Sequence, residues 1–189
     1  ATDVNTLMHE LRIPAGKRAE AEENLTLRSA PVMPAIQRYT GVLYDALDAA
    51  SLSSDALSRL AVGSALFGVV RAGDLIPRYR VSGGSKLGGK TMKAWWGSAV
   101  TEVLAEEDFV VDMRSGAYQQ LGPVSGAVTV RVEQADTGKV ISHFNKQYKG
   151  ELAHALAPHD AASADDVADI ASAAGFDVAL DGTLLTMRV

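Results

Sequence analysis

Between positions 71 and 93 the chain carries six basic residues, Arg71, Arg78, Arg80, Lys86, Lys90 and Lys93, against one acid, Asp74. Six against one is a local charge of +5 inside a protein whose formal net charge is -5. Guanidinium forks match phosphate oxygens, and lysine ammonium groups extend the positive field around them. The segment therefore reads as an anion site centred on Arg71, Arg78 and Arg80, with Lys86 and Lys90 continuing it. Asn145, Lys146 and Lys149 from a later helix are candidates to face the same anion. Tyr79 and Tyr118 are candidates to stack on bases or to cap a pocket. The competing reading is a solvated face holding surface pairs such as Arg71 with Asp74, which contribute little.

Other chemistry is thinner. Gly84-Ser85-Lys86-Leu87-Gly88-Gly89-Lys90-Thr91 satisfies the phosphate-loop pattern of nucleoside triphosphatases. That chemistry needs a buried strand feeding the loop so that backbone N–H groups converge on phosphate. Pro77-Arg78-Tyr79-Arg80-Val81-Ser82 is charged and broken by proline, so the match reads as coincidence in a glycine-rich turn. Of the histidines His9, His143, His154 and His159, only His154 has a carboxylate, Glu151, at helical spacing. Two solvated helix residues make a poor metal site, and no metal or cofactor is expected. Ser115 and Tyr118 lie near Arg114, but no general base accompanies them, so no catalytic constellation is identified.

A hydrophobic content of 47% with 22% charged residues is that of a globular protein. At 189 residues the chain suffices for one substantial core. It has no cysteine, which excludes disulfides and thiolate chemistry. It has no apolar run of membrane-spanning length and no cationic apolar leader, so a cytoplasmic location is expected. Charge is unevenly placed: residues 151–189 hold seven acids and one cation, Arg188. Global acidity argues against indiscriminate nucleic-acid binding, while a local patch still dominates a local encounter.

The elements that must position these residues change period along the chain. Asp3 caps a helix, Lys17 to Leu27 reads as a second, and Ala35 to Leu47 as two short helices around Thr40-Gly41. Ser54 caps a helix whose spacing continues to Phe67, and Thr91 to Glu106 reads as one helix carrying Trp95 and Trp96 on different faces. Phe109 to Met113 is a buried-strand pattern. Val128 to Val132 and Val140 to Phe144 read as a hairpin about Asp136-Thr137-Gly138. Asn145 to Leu156 is a helix, Ser163 caps another that Gly175 stops, and Asp181-Gly182 turns a terminal hairpin. Without βαβ alternation the expected class is α+β: one compact domain, a mixed or antiparallel sheet with helices around it.

Four ordered blocks resemble the YaaA family of peroxide-stress-resistance proteins. The first runs from Arg38-Tyr39-Thr40-Gly41 to Leu47. The second joins Ala65-Leu66-Phe67-Gly68-Val69-Val70-Arg71 to Asp74-Leu75-Ile76-Pro77-Arg78-Tyr79-Arg80. The third runs from Gly89-Lys90 to Trp95-Trp96-Gly97. The fourth is Ile141-Ser142-His143-Phe144-Asn145-Lys146-Gln147-Tyr148-Lys149-Gly150. The family keeps Gly-Lys ahead of the tryptophan helix without the upstream glycine, which accounts for the false phosphate loop. Ala72 and Gly73 depart from the family's proline and bulky residue, and Val81-Ser82 from its acidic ending. The family's N-terminal strand and its Pro-Ser-Glu-Gly-Lys motif have no counterpart here, so that part is expected to be missing.

The resemblance implies a protein that limits damage to DNA when peroxide meets free iron. It implies a positively charged cleft, DNA binding and a helix-hairpin-helix element, which Arg38, Tyr39, Thr40 and Gly41 would supply, glycine letting a backbone N–H approach phosphate. DNA is the expected partner. The second reading is an enzyme acting on a nucleotide or another phosphorylated small molecule, with Arg71, Tyr79, Arg80, Asn145 and Lys146 as its anion site.

Overall fold

The computed structural model describes residues 3–141 and 144–189. In chain order the first elements are α1 (Val4–Glu10), α2 (Arg18–Glu23), β1 (Val32–Pro34), α3 (Ala35–Arg38), α4 (Val42–Leu47) and α5 (Ser54–Ser58). Then come β2 (Ala61–Ser64), β3 (Gly68–Arg71), β4 (Leu75–Pro77), β5 (Lys86–Leu87), β6 (Lys90–Thr91), α6 (Met92–Trp96) and α7 (Ala99–Leu104). The chain ends with β7 (Val111–Asp112), α8 (Gly116–Gln119), β8 (Val128–Glu133), α9 (Asn145–Leu156), α10 (Ala164–Ala173), β9 (Asp177–Asp181) and β10 (Leu184–Arg188). Small antiparallel sheets and one mixed sheet, with helices among them, make this the expected α+β class. No helix among the described residues is long and apolar enough to cross a membrane.

The contacts sort these elements into two compact units. One comprises residues 1–38, 61–104 and 114–123. It holds three two-stranded antiparallel pairs, β1 with β4, β2 with β3 and β5 with β6. Met92, Ala65 and Leu121 form a small core there, with Trp96 and Tyr118 packed against it. The stretch that reads as a single helix from Ser54 to Phe67 is instead the short α5, capped by the Ser53 hydroxyl, followed by the β2–β3 hairpin. Two glycines explain the change. A Cβ on Gly63 would sit 2.7 Å from Arg114 Cδ, and Gly68 has φ +77 with the Trp96 ring against it. Neither residue is compatible with a helix interior in that packing. The expected Thr91–Glu106 helix is likewise split, because Gly97 takes φ +56 between α6 and α7.

The other unit comprises residues 39–60, 105–113 and 124–189, and it owns the larger core. Its sheet runs β7-β8-β10-β9, with β8 parallel to both β7 and β10 and β10 antiparallel to β9. Alternation in β8 buries Val128, Val130 and Val132 on one face, where Leu152 and Leu156 of α9 and Val167 and Ala171 of α10 pack. The terminal hairpin, α9 and the Ser163-capped α10 all form where the local signals place them. Among the described residues of the hairpin arm expected from Val140 to Phe144, pairing with β8 is limited to Val140 and Ile141. β10 takes one edge of β8 and β7 takes the start of the other, so Val140 makes a single bridge with Glu133 and Ile141 N–H donates to Val132. Ser142 and His143 lie outside the described residues.

Candidate nucleic-acid interface

The cations of the 71–93 segment are sorted by their partners. Arg71 ends β3, and its backbone N–H donates to the Asp74 carboxylate at 2.8 Å. Arg78 and Arg80 follow β4 and turn back onto α2. Arg78 Nε lies 3.1 Å from Glu23 Oε2, and Arg80 Nε lies 3.0 Å from Glu20 Oε2. The Glu23 contact is an ion pair without hydrogen-bond alignment, since Glu23 Oε2 is buried and accepts no aligned donor. The Arg80 backbone is also clamped, its N–H and C=O both bonded to the Asn24 side-chain amide. Glu20 has a second cation, Lys17, whose Nζ donates at 3.0 Å. That hydrogen bond, with the charges of Lys17, Arg80 and Arg78, lowers the Glu20 pKa against the opposing effect of desolvation.

The lysines are arranged otherwise. The false phosphate loop is a two-residue hairpin turn: β5 and β6 pair Leu87 with Lys90, while Gly88 and Gly89 take φ +56 and +77. Positive φ at both central residues is the hairpin requirement that glycine meets. Lys86 and Lys90 thereby stand exposed on the two arms, and Lys93 stands exposed on α6 just beyond Thr91, whose hydroxyl accepts from Ala94 N–H as the cap. None of the three makes an ion pair with a described residue. Lys90 Nζ instead sits 5.1 Å from the centre of the Trp95 ring. Trp95 itself is 53% exposed, its Nε1–H donating to Leu87 O at 2.8 Å. Trp96 takes the other face, half-buried, with Nε1–H on Ala65 O. One tryptophan is core and one is surface, as adjacent helical positions require.

Both tyrosines proposed for stacking are engaged inside their unit. Tyr79 Oη lies 2.6 Å from Ser64 Oγ, and its ring meets Phe67 edge-on at 5.3 Å. Ser64 is fully buried, and its Oγ also accepts from Phe67 N–H. Tyr118 packs on the Trp96 core. Nothing in the local sequence marks Ser64 as a partner for Tyr79; the β2–β3 hairpin creates the pair. The Glu20 and Glu23 partners of the arginines have a faint signal, an i,i+3 acidic pair on one face of α2.

The helix-corner residues divide. Arg38, at the end of α3, is turned inward, Nη2 reaching Pro31 O and Ile76 O at 3.4 Å each, while its Nε is buried without a hydrogen-bond partner among the described residues. Tyr39 stacks on Tyr44 at 5.5 Å, and Thr40 and Gly41 are exposed. Gly41 has φ +107 with open space where a Cβ would go, so the backbone angle alone demands glycine.

On α9, Asn145 is half-buried and Lys146 exposed, whereas Lys149, expected on the anion-facing surface, is only 8% exposed. Its Nζ donates a long 3.4 Å bond to Met113 O. Burial lowers its pKa, and the nearby Asp112 carboxylate, itself 6% exposed, offsets part of that. His154 does not join Glu151 as a ligand pair. Its Nδ1 is 2.8 Å from Leu47 O, which can only accept, so the proton sits on Nδ1; Glu151 accepts from Gln147. No group of three metal-ligating side chains forms among the described residues. His143 lies outside them.

A family model described as peroxide stress protein YaaA matches residues 2–181. A UPF0246 protein of Corynebacterium efficiens is 60% identical over 175 residues, covering 87% of this chain and 71% of that protein. One from Corynebacterium glutamicum is 54% identical over 189 residues, covering 94% and 77%. A third, from Streptomyces coelicolor, is 43% identical over 169 residues, covering 82% and 65%.

Proposed function

The chain belongs to the family of the peroxide stress protein YaaA, and from that premise we propose that it acts in the peroxide response as a DNA-binding protein. In this reading it protects DNA from iron and peroxide by occupying the phosphate backbone. The observation that carries the reading is the set Lys86, Lys90 and Lys93, exposed within eight residues of chain and without a carboxylate partner among the described residues. Solvated lysines of that kind gain affinity by releasing counterions from DNA. Arg78 and Arg80 contribute as a reserve, held by Glu20 and Glu23 until phosphate competes for them. The enzyme reading has less support, because Arg80 and Tyr79, two of its anion ligands, are engaged by Glu20 and Ser64.

Titration of a DNA duplex at several salt concentrations tests this. Each phosphate contact contributes about 0.9 to the slope of log affinity against log salt. Replacing Lys86, Lys90 and Lys93 together by Ala lowers the slope by up to roughly 2.7. Glu20→Gln with Glu23→Gln raises both affinity and slope. Absence of salt-sensitive binding by the wild type overturns the proposal.

A further inference from the structure

The feature of the lysine segment that phosphate binding does not use is the aromatic ring beside Lys90. Trp95 is 53% exposed, on a surface where burying an indole elsewhere would be favourable. Its orientation is nevertheless held. Nε1–H is bonded to Leu87 O, Lys90 Nζ lies 5.1 Å from the ring centre, and Gly88 of the hairpin turn lies beside the ring edge, its hypothetical Cβ 3.9 Å from Cζ2. A ring held in one orientation loses little freedom when a flat ligand stacks on it. The turn is braced in its own right, since Gly88 N–H donates to the Glu10 carboxylate at 3.2 Å. Lys90 stands over the ring with no compensating ion pair among the described residues, and Lys86 and Lys93 are exposed nearby in the chain.

We propose that Trp95 is a stacking platform for an unpaired nucleobase, so that the favoured DNA ligand contains a single-stranded stretch. This deepens the DNA-binding reading and rests on it. A paired base inside a duplex presents only its edges to the grooves, and an indole at the surface cannot reach its face. An unpaired base has its face free, and a flanking phosphate then falls within reach of Lys90. Positive charge around an exposed aromatic is the combination that single-stranded nucleic acid matches. Because every base has a π-face, the preference is for strandedness and not for sequence.

The experiment compares an oligothymidylate of roughly 16 nucleotides with a blunt duplex of similar charge, using wild type, Trp95→Ala and Trp95→Phe. Expected results are a roughly tenfold loss of oligothymidylate affinity for Trp95→Ala, partial retention for Trp95→Phe, and duplex affinity within about twofold of wild type for both. Oligothymidylate also quenches tryptophan emission in a Trp96→Phe background, where Trp95 is the sole reporter, while duplex does not. A matched far-ultraviolet dichroism spectrum and melting curve establish that Trp95→Ala is folded; were it not, the Trp95 quenching and the Trp95→Phe affinity decide alone. Salt-sensitive duplex binding with unchanged oligothymidylate affinity in Trp95→Ala and no quenching overturns this inference and leaves DNA binding standing. Loss of binding to every DNA by wild type overturns both.

Discussion

Gly150→Ala should destabilise this protein although a helix scale says the opposite. Gly150 lies inside α9, a 12-residue helix, where glycine is about 1 kcal/mol worse than alanine. The residue is buried against α4, and a Cβ built there lies 2.3 Å from Leu43 O, 2.8 Å from Ala46 Cβ and 3.1 Å from Leu47 N. Two of those three neighbours are backbone atoms, which cannot turn aside as a side chain would. Relieving the contacts requires α4 and α9 to separate by roughly 1 Å, a gap that forfeits a quarter to a half of each dispersion contact along the seam. Overpacking of this severity costs about 3 kcal/mol, and the propensity gain returns about 1. The net loss of about 2 kcal/mol lowers the melting temperature by about 4–8 °C for a chain of this size. The same displacement moves the carbonyl of Leu47, which receives the His154 Nδ1 proton at 2.8 Å. Thermal melts followed by far-ultraviolet dichroism measure the shift. Ala155→Gly on the same helix isolates the propensity contribution, with an expected loss of about 1 kcal/mol. A melting temperature for Gly150→Ala equal to or above that of wild type refutes the close-approach argument.

Three further substitutions probe buried and half-buried polar groups. Burial lowers the Lys149 pKa in the folded state, so between that lowered value and the unfolded value of about 10.4 the unfolded chain binds more protons. This group's contribution to stability therefore rises with pH across that window, and Lys149→Met should flatten the pH dependence of the urea midpoint there; parallel curves for the two proteins refute it. Tyr79→Phe removes one partner of a 2.6 Å hydroxyl bond and should cost about 1 kcal/mol, whereas Ser64→Ala strips Tyr79 Oη and Phe67 N–H together and should cost about 2. Equal urea midpoints for those two variants would show that Ser64 does not serve both groups.

Where a local signal is complete, the element was legible. Ser163 at the cap and Gly175 with φ +90 at the stop define α10, and Asp181-Gly182 turns β9 into β10. The family blocks were legible too. The stretch from Ser54 to Phe67 misleads because Leu57, Leu60, Ala61, Ser64 and Ala65 satisfy a helical period, while Val62, Ser64 and Val70 satisfy a hairpin. Short segments of small and apolar residues carry both periods, and packing arbitrates. Here the arbiters are Arg114 against Gly63 and Trp96 against Gly68, contacts made by residues many positions away.

The amino-acid sequence by itself determined the local charge, since six cations against one acid over 23 residues is a property of composition and needs no fold. It also determined the capped helices and glycine turns, whose forces act within a few residues. Only the tertiary structure decided which cations remain available. Glu20 and Glu23 reach Arg80 and Arg78 from more than fifty positions upstream, Lys149 is buried, and Lys86, Lys90 and Lys93 are left exposed, Lys90 over the ring of Trp95. The physical reason is that a charge acts through its nearest partners in space, and chain folding alone assigns those partners.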